Sequence, residues 1–515
     1  MGDDSEKPES GTGEEKPPKI KAEDNPWYLL ATLYGVPDEE NHEIRNKNRI
    51  AWNRYFAGNL DGETRTKLVE EDHRPADESM PYSLGELQDV GRTFGARCKT
   101  SAKKVALPTS DAPAIFSNIE FEQYVFFDGY LFKDASFQNA VFCKWAFFHG
   151  ATFSEGTTFD GATFSQGAVF DGAIFSGGAH FQGATFSRGA YFQGATFAKG
   201  AIFHGATFAE GAFFSDATLA GGALFGSVTF HGWAKFGEAD FSGRATFDGA
   251  TFCEGADFGG ATFAKGAHVN GGTYFCGAAF SEEAHFQGAT FSDEALFADA
   301  TFSRRANFGK ASFGGTSSFV NAEMNGETSF EGAIFKAEPP KFFGAKLHQG
   351  TVWRGINWPK PKDKEKAGAF IDAYACLKLE MDRLKKHEDE LDFFSLELQS
   401  RRVLLGIWTG LPIAIYGIFS DYGRSYLRPL VALFYLALIG TLAFLSSDSL
   451  SPWQSLGLSA ANALNVFGFR KDFFEPAVIA RLPAWLDVVS ALQTIFGTIL
   501  LFLVGLGTRN EFRMK

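Results

Sequence analysis

The chain has 515 residues, with 48 Lys+Arg against 61 Asp+Glu and a formal net charge of −13. That length implies more than one domain, and the acid excess argues against a polyphosphate partner, which needs a basic face. Five cysteines (Cys98, Cys143, Cys253, Cys276 and Cys376) are odd in number, widely spaced and in no C-x-x-C pair; this excludes a disulfide framework and a cysteine zinc motif, and fits a reducing compartment.

Residues 1–25 are charged and Pro-rich, and they have no apolar h-region. They read as a disordered tail without a secretory signal. Residues 26–115 mix aromatic, charged and small residues, with helical character at 43–56 and 84–104. This region is expected to cap the repeats that begin at residue 116. From residue 116 to 335 a large apolar residue, nearly always Phe, recurs at spacings of 5 or 6, and 41 of the 58 Phe fall in this stretch. Phe153, Phe159, Phe164, Phe170, Phe175, Phe181 and Phe186 show the strict alternation, so the unit is eleven residues of the form G-A-T-F-S-x-G-A-x-F-x.

Two residues before most of these Phe stands a small residue, as Ala162 does before Phe164. In an extended strand residues i and i−2 share a side, so Ala and Phe face inward together and the residue between them faces out. Gly just before the Ala supplies a tight turn. The spacing fits very short strands separated by corners, a solenoid whose backbone groups pair from coil to coil.

This pattern resembles the pentapeptide-repeat proteins, whose repeat is a small residue, a polar residue, Leu or Phe, and two free positions. The resemblance covers residues 116–350 and implies a mainly β fold, a right-handed four-sided β-helix. One residue is added to every second row, as in Ser165-Gln166-Gly167-Ala168-Val169-Phe170. That addition predicts a wider corner on two of the four sides and a coil of about 22 residues. About ten coils result, roughly 50 Å at ~4.8 Å per strand spacing. An extra six-residue step around 269–275 predicts a local loop.

Residues 22 apart should then stack. Thr163, Thr185, Thr207, Thr229 and Thr251 form an expected Thr ladder. Val169, Tyr191 and Phe213 on one side, and Ile202 and Leu224 on another, form exposed apolar rows that mark either contact with a neighbouring subunit or the N-terminal region, or simple β-propensity; a cytoplasmic protein is the candidate partner of this surface. Between residues 116 and 335 there are 22 Asp+Glu and 10 Lys+Arg, a net of −12. Some members of the resembled family imitate duplex DNA with an acidic rod. Here the acids are scattered (Asp160, Asp171, Glu210, Asp216, Glu238), so a solvated surface is expected and a nucleic-acid role is not. His180, His204, His231, His268 and His285 have no metal-ligand spacing, and the Gly-x-x-Gly strings belong to the repeat and make no phosphate loop. No catalytic residue, cofactor or metal is expected, and the chain does not read as an enzyme.

A Pro/Lys linker at 351–368 precedes two amphipathic helices within 369–402, where Glu380, Asp382, Glu388 and Glu390 read as a solvated face. The remainder, 403–515, reads as an α-helical membrane domain. Residues 403–419 hold Gly406, Gly410 and Pro412 and read as an interfacial helix. Spans are expected at 428–447 and 485–507, with a re-entrant segment at 449–483 between them. Arg424 and Arg428 before the first span, and Arg509, Arg513 and Lys515 after the last, place the rod and both termini in the cytoplasm under the positive-inside rule, in the inner membrane of a cell.

Span, short helix, Gly-containing loop and span is the order of a two-span cation-channel pore. The stretches 393–398, 420–425 and 505–515 also resemble the membrane part found after the rod in many bacterial pentapeptide-repeat proteins. Some relatives carry a T-V-G-Y-G filter. Asn465-Val466-Phe467-Gly468-Phe469 stands in its place here, with one Gly where two are expected, and Asn462 is a second polar contact. The resemblance implies a homo-oligomer, four subunits by analogy, that acts as a channel-like pore or sensor. A membrane-anchored scaffold without conduction is the alternative.

Overall fold

The computed structural model describes residues 18–58, 78–98, 105–264, 272–447, 450–464 and 482–514. The chain divides into two compact units, one ending at Ile334 and including Arg354–Ile356, the other holding Phe335–Trp353 and Asn357–Lys515.

The first unit is a β-solenoid. Among the described residues its two-residue strands fall into four parallel sheets, of eleven, ten, ten and ten strands. Each strand pairs with the one a full coil away. Thr163 pairs with Thr185, Thr185 with Thr207, Thr207 with Thr229 and Thr229 with Thr251, so the Thr ladder forms in the expected 22-residue register. The first coil is one residue shorter, since Leu131 pairs with Thr152. At the extra six-residue step Thr251 pairs with Ala279, a 28-residue coil. Residues 265–271, where that step was expected to form a loop, lie outside the described residues.

The two corner types explain the 5–6 alternation. In the narrow corner a two-residue turn is closed by the Ala173 N–H donating to the Phe170 carbonyl at 3.0 Å, with Gly172 at φ 63°. That left-handed position needs Gly or a residue that tolerates αL, and Asn118, Asn139 and Asp216 occupy it in other coils. The wide corner carries the added residue, and its Gly has another cause. A Cβ on Gly221 would lie 2.0 Å from the Lys199 carbonyl carbon one coil away, so backbones touch there.

Inside, every coil contributes four apolar residues, and these form four columns. Within a column rings stack almost in parallel, as Phe142–Phe164 at 4.7 Å and Phe164–Phe186 at 4.8 Å. Between columns they meet edge to face, as Phe170–Phe181 at 5.6 Å and 87°. Both geometries suit the ring quadrupole. Phe159, Phe181 and Phe203 are fully buried, with Ala162, Ala168 and Ala173 beside the columns.

Among the described residues three α-helices precede the coils: α1 (Pro26–Ala31), α2 (His42–Ala57) and α3 (Leu84–Cys98). The end of the first coil would expose rings and unpaired backbone groups. Trp52 of α2 covers it, packing on Phe116, Tyr130 and Phe132 and donating from its indole N–H to the Leu131 carbonyl at 2.8 Å. Asn53 accepts from the Leu131 N–H and donates to the Gly129 carbonyl. Residues Ile20–Lys21 add a strand beside Ile119 and Glu120. The expected tail therefore ends earlier than residue 25, because Ile20 finds a sheet edge to pair with; residues 1–17 lie outside the described residues.

The second unit is helical apart from the segment that enters it. Helices α4 (Lys364–Arg383) and α5 (His387–Leu405) form an antiparallel hairpin, which starts within the stretch expected as linker. Asp363 caps α4 by accepting from the Lys366 N–H. Trp353 and Trp358, also expected in linker, pack on Phe393, since indoles this large are held where they can be buried. In this hairpin Leu379 is 65% exposed, while Glu397 is buried. Beyond the hairpin lie α6 (Leu411–Ser420), α7 (Leu427–Leu445), α8 (Pro452–Ala463) and α9 (Ala484–Met514). Two of these, α7 and α9, are long and apolar enough to cross a membrane.

Candidate functional site

Two places concentrate chemistry that packing alone does not require. The first is the outer surface of one sheet of the solenoid. Val169 pairs with Tyr191 and Tyr191 with Phe213, as the 22-residue register predicts. The row is longer than the sequence suggested. Phe126 and Phe147 precede it, their rings 5.1 Å apart and parallel to 1°, and Tyr191 and Phe213 stack at 5.0 Å. Val169 interrupts the rings, and Trp145 spans the gap. Its indole lies over Gly167, where a Cβ would meet it at 2.2 Å, and stacks at 5.9 Å on Phe147 and 6.2 Å on Tyr191. A cation closes each end: the Arg45 guanidinium lies 3.7 Å from the Phe126 ring centre, and the Lys235 ammonium 5.6 Å from that of Phe213. Beyond Lys235 the same row turns polar, with Asp257 and His285.

Phe147 sits 22 residues before Val169, so the register that found the row also contained it; Trp145 lies in a corner, which no strand pattern marks. The second predicted row is short. Ile202 and Leu224 pair on another sheet, flanked in register by His180 and Thr246.

The second place lies between the apolar helices. A short helix, α8, is wedged against both α7 and α9 and starts with a capping box, Ser451 accepting from the Gln454 N–H while the Gln454 side chain accepts from the Ser451 N–H. Its Ser455, Ser459 and Asn462, at i, i+4 and i+7, share one face and are fully buried. Ser459 donates to the Ala437 carbonyl at 2.6 Å, Gln493 of α9 donates to Ser459 and to the Leu436 carbonyl, and Asn462 donates to Gln493 at 3.4 Å. Asn462 Oδ1, Ser455 Oγ and Ser490 Oγ are buried there without a hydrogen-bond partner among the described residues. Two glycines admit this network. A Cβ on Gly440 would lie 2.1 Å from Gln493 Nε2, and one on Gly497 2.4 Å from the Ala463 carbonyl oxygen. Asn462 thus faces Gln493 inside one chain, with no exposed surface. Asn465, Val466, Phe467, Gly468 and Phe469, the expected pore-lining residues, lie outside the described residues.

Away from the polar core the apolar helices are bare: Phe434, Ile439 and Leu442 of α7, and Val488, Ile495 and Phe502 of α9, are exposed. The start of α7 and the end of α9 meet, since Asn510 donates to the Gly423 carbonyl at 3.0 Å. At this end arginines bind the acidic face of the hairpin. Arg424 pairs with Asp392 and Asp421, and Arg513 lies 3.3 Å from Asp382 and 3.5 Å from Glu390. Asp382, His387 and Glu390 bring their ligand atoms within 4.8 Å of one another, and the Arg513 guanidinium already supplies the positive charge there. Glu390, expected on a solvated face, is mostly covered. So is Glu380, where burial works to raise the carboxyl but bonds from Arg383 and the Leu347 N–H outweigh it and hold it below its ordinary value. Glu397, which the sequence reading passed over, bridges Lys378 at 2.6 Å and Arg401 at 2.7 Å.

No curated protein and no solved structure matches the chain. A family model described as pentapeptide repeats (9 copies) matches residues 148–196, 181–229, 192–240, 225–271 and 286–334. All five stretches fall within the tract that forms the coils, so the rod is a pentapeptide-repeat β-helix by sequence pattern and by fold together.

Proposed function

We propose that this chain is an integral membrane protein that holds a pentapeptide-repeat scaffold at the cytoplasmic face of the inner membrane for a protein partner. The observation that carries it is the joining of bare apolar flanks on α7 and α9 with a buried polar core between them. Water would penalise such a surface heavily, and a bilayer would not. At ~1.5 Å per residue the ten residues of α6 reach about 15 Å, half of a ~30 Å hydrocarbon core. This supports two crossings among the described residues, and the meeting of Asn510 with Gly423 supports a hairpin with both ends of the pair on one side. The aromatic row from Phe147 to Phe213, with Ile202 and Leu224 as a lesser patch, is the docking surface, because stacked rings beside the Lys235 cation suit an apolar protein face; Phe126 is buried under Arg45 at the end of the row.

A single cysteine at Ser446 should react with an impermeant maleimide from outside intact spheroplasts, while one at Glu388 should not. The five native cysteines precede residue 377 and should stay protected. Extraction of the chain by alkaline carbonate, or outside labelling at Glu388, refutes the topology.

A second reading has its own support in the capped α8, held between two apolar helices as a pore helix is. Its C-terminal end carries partial negative charge toward residues 465–469 and favours a cation there. Such a pore needs a closed ring of subunits. Purified protein in a planar bilayer should then give cation-selective events that Asn465→Leu or Gly468→Val removes. Silence at all potentials, with a monomer in detergent, leaves the scaffold reading alone.

A further inference from the structure

At the break between α5 and α6 a cavity of about 540 Å³ is lined by Lys360, Gln399, Arg402, Ile407, Leu411 and Tyr422, among others. The break has a local cause: Gly406, at φ 83°, ends α5 by donating its N–H to the Arg402 carbonyl. Lys364 reaches the same corner, its ammonium 3.2 Å from where a Gly406 Cβ would stand. Three cations therefore gather at one rim, and among the described residues none of them forms an ion pair with a carboxylate. Arg402 lies beside the Tyr422 hydroxyl, and both line the cavity. Val403, Ile407 and Leu411 make an apolar rim. Ile407 and its chain neighbour Trp408 are each 85% exposed.

We propose that this cavity binds one anionic phospholipid, its phosphate on Lys360 and Arg402 and its acyl chain over Ile407 and Leu411. The charge is complementary, and the apolar rim adjoins the start of α7, where a headgroup layer would lie if the membrane reading above holds, on which this inference rests. A free phosphate would use the cations and leave Ile407 and Trp408 in water. A zwitterionic lipid would cover the apolar rim and gain little from the cations.

The test uses the full chain in phosphatidylcholine vesicles, with brominated phosphatidylglycerol or brominated phosphatidylcholine quenching Trp408, and Trp408→Phe to subtract the other tryptophans. The wild type should prefer phosphatidylglycerol. Lys360→Gln and Arg402→Gln should each lower that preference roughly fivefold, and Arg402→Lys should keep most of it. Equal quenching by the two lipids, in protein that still resists carbonate extraction, overturns the lipid site and leaves the membrane reading standing. Displacement of brominated phosphatidylglycerol by millimolar inorganic phosphate overturns it in favour of a free-anion site. Carbonate extraction without quenching by either lipid overturns both.

Discussion

Truncation of one ring in the middle of a column tests the core most directly. Phe181 is fully buried. It is stacked at 4.9 Å on Phe159 and 4.7 Å on Phe203, and meets Phe170 and Phe192 edge to face at 5.6 Å each. Phe181→Ala should cost about 3–5 kcal/mol, the usual range for deleting a buried ring. The upper half is expected here, because parallel backbones tied from coil to coil cannot close over the gap. At 1.4 kcal/mol per tenfold, amides of the affected coils should exchange roughly three to three and a half decades faster. In a solenoid each coil contacts only its neighbours, so the effect should centre on residues 159–203 and fade toward residue 300. Phe181→Leu should cost less than ~1.5 kcal/mol. The chain holds its own control in Leu219, which pairs with Phe197 in a column and is fully buried. Hydrogen exchange read by mass spectrometry on the intact chain in detergent gives both numbers. Alanine and leucine variants indistinguishable from wild type, or a loss spread evenly over the rod, would refute the column assignment.

Gly221→Ala should destabilise the rod more than Gly172→Ala, measured by the same exchange. At Gly221 the new methyl meets backbone at 2.0 Å, whereas at Gly172 it meets nothing within 4 Å and costs only the left-handed φ, about 1–2 kcal/mol. Gly440→Val should lower the midpoint of thermal unfolding of the second unit in detergent, since the added group overlaps Gln493 and Ser459; an unchanged midpoint would show that the helices pack otherwise. Glu86 has its carboxyl pulled to about 2 by bonds from Ser83 and from Arg54. Its folded value lies below the unfolded one, so its support for α3 is present above about pH 4.5 and is lost as the pH falls toward 2. Protection of the α3 amides should fall through that window, and Glu86→Gln should flatten the profile.

The rod was legible because its constraint repeats. Each coil needs an inward Ala and Phe two apart and a corner every five or six residues, so a misreading at one row is corrected by forty others. Where the constraint is local and met once, the sequence was mute. Nothing in Trp353 or Trp358 separates a linker indole from one that packs on Phe393. Glu397 looks like any surface acid on a helix, and only the tertiary pairing with Lys378, across the hairpin, explains its burial. Trp145 joined the aromatic row through a corner geometry that a strand register does not describe.

The two units dispose their polar and apolar groups in opposite ways. In the rod, polar backbone is paired between coils and the rings are hidden, so that specificity has to come from what is left outside. A sheet face whose outward residues run Phe126, Phe147, Val169, Tyr191 and Phe213, then turn to Lys235 and Asp257, has a beginning and an end along the axis. Such a boundary has no folding cause, since Lys235 and Asp257 pair in the ladder as well as Tyr191 and Phe213 do. Between α7, α8 and α9 the arrangement is reversed, with Ser459, Asn462 and Gln493 hidden and Phe434 and Phe502 outside. Hydrogen bonds there hold three helices in one register. Gly440 and Gly497 then matter as spacers rather than as hinges. Both surfaces left outward carry apolar residues, which the proposed function covers with lipid on the helices and with a protein face on the rod.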